Sequence, residues 1–320
     1  MIPYDSPFHP DNDAAYLAWR AEKLAGYPRR AEDLIVRVRD PRQLSDDEYA
    51  ALWARLAKTN MAVYAGPAET AEDKLIPRRV GEQFGLVHLD ANWLADADGI
   101  SSLTPREDEE NAEDVRPAGV DPSRRGDYIP YTHQRIRWHT DGYYNPPERR
   151  IHGMMLHCVR AADTGGENDL YDPELAYIAL RDADPQHIRA LMAEDAMTIP
   201  ARTDETGTAR PDETGPALCV HAGHLHLRYT ARTRSIRWKD DVATQTALQA
   251  LEALLAGRPE GVFTLRLEPG MGLICANVLH TRAAFSDRPE HRRLLYRARY
   301  HDRPRNLRSQ AQIAGRWSDR

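Results

Sequence analysis

Apolar positions recur with a helical period in the front part of the chain. Residues 13–25 place leucine and alanine at helical spacing, which predicts a helix. Ser45 and Glu48 have the spacing of a capping box, so a second helix is expected to begin at this serine. Residues 34–39 alternate between apolar and polar positions and predict a strand. We therefore expect a front part, about 1–100, in which helices pack on a sheet.

Strand-like patterns dominate from residue 127 onward. The run 151–159 is mostly apolar, and 224–232 alternates polar even positions with mainly apolar odd ones. The pattern predicts strands at 61–64, 151–159, 224–232, 262–265, 272–280 and 293–300, and helices at 173–181, 185–197 and 242–256. Many short strands with helices at the front and in one insertion indicate a mainly β fold, a jelly roll with helical cover whose core spans about 127–300.

Two segments have compositions that predict little packing. Residues 104–126 are charged and rich in turn formers, with almost no large apolar side chain, so we expect a loop. Its place upstream of the candidate chemistry suits an active-site lid, and a surface insertion is the alternative. Residues 303–320 form a polar tail. We expect one domain over residues 1–320.

The chain has 320 residues and a formal net charge of −6. This acidic balance argues against nonspecific nucleic-acid binding, which usually requires a basic surface. Cys158, Cys219 and Cys275 are far apart in apolar surroundings, which indicates reduced thiols. No apolar run has the length of a membrane span, and the first residues lack the pattern of a secretion signal. We expect a cytoplasmic protein without nucleic-acid or membrane partners.

The candidate chemistry begins with His139 and Asp141, which one residue separates. In an extended strand, such residues point to the same side, so an imidazole nitrogen and a carboxylate can bind one metal ion together. His280, after the apolar run 272–279, is the candidate third ligand. Two histidines and one carboxylate leave three positions of an octahedral ion open, as in the facial triad of non-haem Fe(II) oxygenases.

A second group of histidines comprises His221, His224 and His226. No carboxylate lies near them at a suitable spacing, which argues against a cupin-like metal site. A polar strand face that lines a pocket or faces solvent is the preferred interpretation.

The segment after His280 adds a basic pattern. An arginine about a dozen residues past this histidine, on the next strand, can place a planar guanidinium near the metal to bind a carboxylate. The H-T-D sequence at 139–141, the distal histidine, the R-R-x-x-x-R sequence at 292–297 and the glycine pair at 165–166 resemble the taurine dioxygenase (TauD/TfdA) family of Fe(II)- and 2-oxoglutarate-dependent oxygenases. The resemblance covers roughly residues 125–300.

The resemblance implies a double-stranded β-helix, the cupin-like form of the jelly roll. It implies that His139, Asp141 and His280 are catalytic and bind Fe(II), with 2-oxoglutarate and O2 at the open positions. By its place in the family pattern, Arg293 binds the distal carboxylate of 2-oxoglutarate. Arg292 is the alternative, since neighbouring strand residues face opposite ways.

Three further site residues follow from the same resemblance. Asn168 lies where the family usually has a hydroxyl donor to the cosubstrate, so this position departs from the pattern. Arg297 corresponds to a position that often holds an anionic substrate group. Tyr143, two residues past Asp141, is expected to line the substrate pocket.

We therefore expect a dioxygenase that converts 2-oxoglutarate to succinate and CO2 while it hydroxylates a small anionic metabolite, such as a carboxylate or sulfonate. Asp141 argues against halogenation, because halogenating relatives lack the carboxylate ligand. A catalytically silent sensor of 2-oxoglutarate or of a small acid, and a cupin-type metal-dependent hydrolase or isomerase, are the alternatives. A homodimer is the commonest arrangement for a soluble oligomer.

Overall fold

A computed structural model of the chain describes residues 2–68, 72–91, 95–105, 129–203, 209–232 and 235–309. The helices in these ranges are α1 (Asp13–Leu24), α2 (Asp46–Thr59), α3 (Leu75–Gln83), α4 (Pro173–Ala183), α5 (Pro185–Met192) and α6 (Val242–Ala256). The strands up to the middle of the chain are β1 (Ile35–Arg37), β2 (Met61–Ala65), β3 (Ser101–Leu103), β4 (Ile136–His139), β5 (Gly153–Arg160), β6 (Thr164–Gly165), β7 (Asn168–Tyr171), β8 (Met197–Ile199), β9 (Arg202–Thr203) and β10 (Ala209–Arg210). The later strands are β11 (Glu213–Gly215), β12 (Leu218–His221), β13 (His224–Leu227), β14 (Arg237–Trp238), β15 (Phe263–Leu265), β16 (Met271–Cys275), β17 (Leu279–Arg282), β18 (Phe285–Ser286) and β19 (Leu294–Tyr300).

Two sheets carry most of the architecture. The larger has six strands in the order β1-β2-β16-β5-β19-β3, and the smaller has four in the order β15-β7-β17-β4. Strands β1 and β2 run parallel, while β16, β5, β19 and β3 pair with their neighbours in antiparallel fashion. The fold is thus mainly β, with short paired strands and helices around the two sheets.

One apolar cluster joins the two sheets. Met154 and Leu273 from the six-stranded sheet lie in the same buried cluster as Leu170 and Phe263 from the four-stranded sheet. Since side chains alternate between the faces of a strand, the opposite face of the larger sheet is free for other packing. Helices α2 and α3 cover that face, and Tyr300 is among the residues buried there.

A third cluster lies where α4, α5 and α6 pack together near the β12–β13 hairpin. Leu218, Leu225 and Leu227 of the hairpin are buried in this cluster. The hairpin therefore has one apolar face in the core, and its other face is available for polar side chains. In the described part of the chain, no helix combines the length and the apolar composition needed to cross a membrane.

The capping box at α2 is formed as the sequence predicts. The Ser45 side chain accepts a hydrogen bond from the Glu48 backbone N–H, and the Glu48 carboxylate accepts one from the Ser45 N–H. The expected helices at 173–181 and 242–256 also form, although α5 ends at Met192 where a helix to 197 was expected. Helix α3 was not predicted, because Pro77 and Gly81 lower its intrinsic helix propensity.

The expected strand at 272–280 is wrong as a single element. Strand β16 ends at Cys275 and β17 begins at Leu279, so His280 is the second residue of a new strand. Asn277 in the connection has a φ of 52°, in the left-handed region that strands do not use. The strand at 34–39 is shorter than expected, and the strand predicted at 224–232 ends as a regular element at Leu227. The predicted lid loop lies outside the described residues from position 106 onward.

Candidate metal centre and its surroundings

Strands β4 and β17 bring the three candidate ligands together. His280 is paired directly with His139 across the two strands, and their ring centroids are 4.1 Å apart. The His139 Nε2 lies 3.8 Å from the Asp141 Oδ1, and one ligand atom from each of the three residues lies within 4.8 Å of the others. Among the described residues, these three form the one such group of histidine, cysteine, aspartate or glutamate.

Asp141 reaches the site by a different route from the expected one. Strand β4 ends at His139, so Asp141 lies in the turn that follows and not on the same strand face. The expectation of one extended strand was wrong, although the carboxylate arrives beside the imidazoles. Gly142 makes the turn with a φ of 63°, and a Cβ there would lie 2.4 Å from the side chain of Ile151. Glycine is thus required by both the backbone angle and the space.

Hydrogen bonds orient the two imidazoles. The His139 Nδ1 lies 2.9 Å from the Arg137 carbonyl oxygen, and the His280 Nδ1 lies 2.9 Å from the Val278 carbonyl oxygen. A carbonyl oxygen only accepts, so each Nδ1 carries the proton and each Nε2 keeps its lone pair. This is the tautomer that binds a metal through Nε2.

Asn277 holds the turn that carries Asp141. Its Oδ1 accepts the Asp141 backbone N–H at 2.8 Å. Its Nδ2 donates to the carbonyl oxygens of Asp141 and Ile151 at 2.9 and 2.7 Å. Sequence reasoning missed this residue. The available signal was an asparagine that interrupts an apolar run, because asparagine tolerates the left-handed region.

Burial sets the protonation of the ligands. It lowers the pKa of His139 to about 3 and also lowers the pKa of His280, against the opposing effect of Asp141. Burial alone would raise the pKa of Asp141, but the Arg297 and Arg299 guanidinium groups hold that pKa well below its usual range. At neutral pH the site therefore presents two neutral imidazoles and one carboxylate, which is the state that binds a metal cation.

Arg297 lies against the carboxylate of the triad. It is buried, and its Nη1 lies 3.4 Å from both Asp141 oxygens. Its Nε is also buried and has no hydrogen-bond partner within the described ranges. Arg299, on the same face of β19, donates instead to Asp90 and to the Tyr144 hydroxyl, at 2.6 and 3.0 Å. Arg297 thus keeps donor capacity next to the metal ligands.

Arg293 and Asn168 line the same small pocket, and Arg266 and Gly166 also line it. The Arg293 guanidinium is buried over the Phe285 ring, 4.9 Å from its centroid. Burial lowers the pKa of Arg293 to about 10, and no described carboxylate forms an ion pair with its side chain. The charge of Asp287 acts on Arg293 only from beyond ion-pair distance, so the buried guanidinium is suited to bind an anionic ligand.

The neighbours of Arg293 define the rest of this cavity. Asn168 donates to the Thr281 carbonyl oxygen at 2.7 Å, and its own Oδ1 is buried without a hydrogen-bond partner among the described residues. The amide therefore retains one N–H. Gly165 has a φ of 74°, and a Cβ there would lie 2.2 Å from the Ala284 carbonyl oxygen. Arg292 is half-buried and does not line the cavity.

The remaining sequence candidates lie in different surroundings. Tyr143 is in the turn after Asp141, where its ring meets Tyr144 edge to face at 5.2 Å, and it packs against the apolar cluster near the hairpin. Its role in a substrate pocket stays a prediction. His221, His224 and His226 lie on the β12–β13 hairpin and do not join the metal group.

Arg282 is a second residue that the sequence did not reveal. Arg282 lies two residues past His280, and its guanidinium is buried. The guanidinium donates to the carbonyl oxygens of Pro130 and Thr132 at 3.0 and 2.6 Å. It also donates to those of Ile129 and Gln134. These bonds fix the segment that leads into β4. Its desolvation lowers the pKa of Arg282 to about 9.

Comparison with known proteins adds three findings. The family model described as "Taurine catabolism dioxygenase TauD, TfdA family" matches residues 21–299. Uridine-5'-phosphate dioxygenase from Amycolatopsis sp is 33% identical over 178 residues, which cover 52% of this chain and 62% of that protein. A protein of the same name from Streptomyces sp is 32% identical over 181 residues, which cover 55% of this chain and 65% of that protein. The chain thus spans less than two thirds of the length of these relatives.

Among solved structures, the non-heme iron oxygenase OrfP is similar with a TM-score of 0.53 and 17% sequence identity. The similarity covers 94% of this chain and 92% of that one. OrfP was solved in complex with Fe, succinate and (3S)-hydroxy-L-Arg. At this identity the likeness shows a common fold.

Proposed function

The chain belongs to the TauD/TfdA family of dioxygenases, and from this premise we propose that it is an Fe(II)- and 2-oxoglutarate-dependent dioxygenase that hydroxylates a small anionic metabolite. The overall reaction consumes O2, 2-oxoglutarate and a substrate C–H bond, and it yields succinate, CO2 and the alcohol. One observation carries the proposal: two histidines and one carboxylate come together, with Asp141 and His280 buried, in a fold that also buries the Arg293 guanidinium without an ion pair to a described carboxylate.

The residues present fit Fe(II). His139 and His280 would bind it through Nε2, and Asp141 through its carboxylate, whose buried Oδ2 accepts no hydrogen bond in the described part of the chain. Three protein ligands leave three positions for ligands other than the protein. When bound, the iron supplies the activation of O2 that the oxidation requires.

Arg293 and Asn168 would hold the cosubstrate. A guanidinium binds a carboxylate through two parallel N–H donors, and burial strengthens this contact. Asp287 accepts the Arg293 backbone N–H, but no carboxylate of the described residues forms an ion pair with the Arg293 guanidinium, so the distal carboxylate of 2-oxoglutarate would pair with it. The free N–H of Asn168 would supply the donor that a hydroxyl gives in other members of the family.

Arg297 would bind the anionic group of the substrate near the metal. The named activity of the two curated relatives makes a phosphorylated nucleoside the first substrate to test, with carboxylates and sulfonates next. Asp141 supplies the carboxylate ligand, so hydroxylation is favoured over halogenation. Tyr143 remains the candidate for contact with the rest of the substrate.

We extend the proposal to architecture and location. The two packed sheets support a double-stranded β-helix that acts as one catalytic domain over residues 1–320. A lid formed by 104–126 and a homodimer are retained as hypotheses. The free thiols of Cys158, Cys219 and Cys275 are compatible with the reducing cytoplasm.

The first experiment is spectroscopic. Fe(II) and 2-oxoglutarate are added to the apoprotein without oxygen, and the weak visible charge-transfer band of a chelated 2-oxo acid is recorded. We expect the band in the unmodified protein and in His187→Ala, a histidine of α5, but not in His139→Ala. Absence of the band in folded protein, or its persistence in His139→Ala, contradicts the proposal.

Turnover then separates the enzyme from a silent sensor. With O2 admitted, succinate should form, and uridine 5'-phosphate or another small anion should increase its rate. A band without any succinate would favour the sensor, and activity that needs metal but neither O2 nor 2-oxoglutarate would favour a hydrolase.

A further inference from the structure

A second group of histidines lies on the β12–β13 hairpin, apart from the metal ligands. Across the hairpin, His221 pairs with His224 and Cys219 pairs with His226. Directly paired residues of an antiparallel ladder point to the same face, so these four side chains share the polar face of the hairpin. The ring of His152, just before β5, lies against this face, with centroids 4.5 Å from that of His221 and 4.8 Å from that of His226.

Arg150 extends to the same face. Its Nη1 donates to the Cys219 Sγ at 3.4 Å, which is a weak acceptor for a guanidinium. Its Nε is buried and has no hydrogen-bond partner, and no aspartate or glutamate of the described ranges forms an ion pair with it. The guanidinium therefore has donor capacity that the protein itself does not use. We call Arg150, His152, His221 and His226 the hairpin cluster.

The charges that act on the hairpin cluster are all basic in the described part of the chain. Burial, then His221, Arg303 and Arg150, lower the pKa of His152 to about 4, and His301 acts in the same direction. Burial, then His152 and Arg150, hold the pKa of His226 well below its usual range. Arg228 and Arg303 add to the effect on His226. Arg303 and His301 have acidic neighbours of their own, whereas Arg150 forms no ion pair with a described carboxylate.

We propose that the hairpin cluster is a binding site for a phosphate-type oxyanion, either inorganic phosphate or the phosphate group of a small phosphorylated molecule. Arg150 donates two N–H groups to such an anion, and the imidazoles of His152 and His221 donate ring N–H groups from the accessible side. The anion neutralises the arginines and allows the imidazoles to take up protons.

A metal ion is the wrong occupant for this cluster. The arginines around the cluster repel a cation. Within the described ranges, no three ligand atoms of histidine, cysteine, aspartate or glutamate lie close enough together here to form a metal group. An oxyanion is instead attracted by the arginines, and guanidinium and imidazole N–H groups are the donors that phosphate sites use.

The hairpin cluster lies near the metal centre but separate from it. Thr230 is bridged to His139, and the chain from Thr230 back to His226 spans four residues. In extended conformation this length is roughly 13 Å. This length is an upper limit on the separation. The hairpin cluster contains none of the three candidate metal ligands, so phosphate binding to it can be tested in the apoprotein without iron or 2-oxoglutarate.

The test titrates inorganic phosphate into the full-length apoprotein at constant ionic strength, with sodium chloride as the balancing salt. The side-chain nitrogen signals of the histidines are followed by NMR. We expect a saturable shift of His152, His221 and His226 while His139 and His280 stay unchanged. The pKa of His152 should rise in phosphate, because a nearby anion favours the protonated imidazole.

Variants assign the effect to the hairpin cluster. Arg150→Gln should weaken phosphate binding by about 10-fold or more, the effect expected for lost hydrogen bonds to a charged group. Arg237→Gln is the control, because Arg237 is exposed and pairs with Asp212. If Arg150→Gln fails to fold, the exposed His221→Gln replaces it, with a smaller loss expected.

Two further ligands distinguish the sources of the phosphate. Uridine 5'-phosphate that shifts the same three histidines more strongly than inorganic phosphate indicates a phosphorylated molecule, and equal effects indicate free phosphate. Uridine should shift none of them. The proposal is overturned if phosphate gives no saturable shift of these histidines, if Arg150→Gln binds phosphate as tightly as the unmodified protein, or if Zn(II) binds there in its place.

Discussion

The metal centre and the hairpin cluster both gather imidazoles, yet they are suited to opposite charges. In the metal centre, a carboxylate with a depressed pKa lies beside two imidazoles whose Nδ1 atoms are bound to carbonyl oxygens. In the hairpin cluster, the charged groups that lower the pKa of His152 and His226 are arginines and other histidines, and no described carboxylate forms an ion pair with Arg150. Burial lowers the pKa of His139 and His280 in one region and of His152 and His226 in the other, so these four imidazoles are neutral at pH 7. The charged side chains next to the imidazoles, and not the imidazoles themselves, therefore determine which ligand each region suits.

Removal of the carboxylate should make the metal centre resemble the hairpin cluster. We expect Asp141→Ala to abolish the visible Fe(II)–2-oxoglutarate band and turnover, the largest effect of the series, since two imidazoles next to Arg297 no longer attract a cation. His187→Ala, on α5 and outside both regions, should leave the band and the rate unchanged. Full activity in Asp141→Ala would refute the triad. Circular dichroism checks that the variant is folded.

The proposed contact with 2-oxoglutarate is tested by comparing the buried Arg293 with its neighbour in sequence, Arg292. Arg293→Ala should raise the 2-oxoglutarate concentration needed for half-maximal band intensity by about 100-fold, as expected when one partner of a buried charge pair is lost. Arg292→Ala is the matched control, because Arg292 does not line the cavity. The reverse order of effects would move the contact to Arg292.

The Arg297→Ala variant distinguishes binding of the primary substrate from binding of 2-oxoglutarate. We expect Arg297→Ala to raise the KM for the primary substrate by about 30-fold, in the range for lost hydrogen bonds to a charged group. The requirement for 2-oxoglutarate should change far less. An equal loss for both ligands would mean that Arg297 acts through Asp141, which it contacts at 3.4 Å.

Variants of Asn277 test whether Fe(II) binding requires that the turn carrying Asp141 be held in place. Asn277→Ala and Asn277→Gly should both weaken Fe(II) binding about 10-fold, as loss of a residue that orients metal ligands does. The alanine variant should also have a lower free energy of unfolding than the glycine variant by about 1 kcal/mol, because only glycine adopts a positive φ freely. Fe(II) titrations and urea unfolding measure the two effects. Unchanged Fe(II) binding in both variants would remove this role.

Acid should weaken the fold through its buried histidines. Burial lowers the pKa of His157 from 6.5 to about 4, so the folded state favours the neutral ring. Stability is then complete above about pH 6.5 and is lost as pH falls toward 4, by about 3 kcal/mol for this residue at 1.36 kcal/mol per pKa unit. Urea unfolding of the apoprotein across this range measures the loss. His157→Gln should flatten the profile, and an identical slope would exclude His157 as the cause.

Phosphate should change how the stability of the protein depends on pH near pH 4. Protonation of His152 should be easier with phosphate bound, so phosphate should reduce the acid-induced loss of stability. The same salt should not protect Arg150→Gln. This is the smallest expected effect, because His152 is partly exposed and solvent screens its interactions.

Sequence by itself determined the family, the types of ligand and the main periodic elements. The family prediction is confirmed by the match over residues 21–299. The sequence nominated His139, Asp141 and His280 as metal ligands because metal sites use particular residue types, and the structure brings the three together, while their role as ligands stays a prediction. The capping box of α2 and the full extent of α6 were readable because they depend on residues a few positions apart.

Only the tertiary structure decided how those residues meet. Asp141 reaches the imidazoles from a turn held by Asn277, which lies 136 residues away in sequence. Arg282 fixes a segment about 150 residues upstream, and His152, just before β5, contacts the hairpin at His221 and His226. Hydrophobic periodicity encodes which face of an element is buried, but it does not encode which distant element will lie against that face. Those contacts arise from packing of the whole chain, and both the metal centre and the hairpin cluster depend on them.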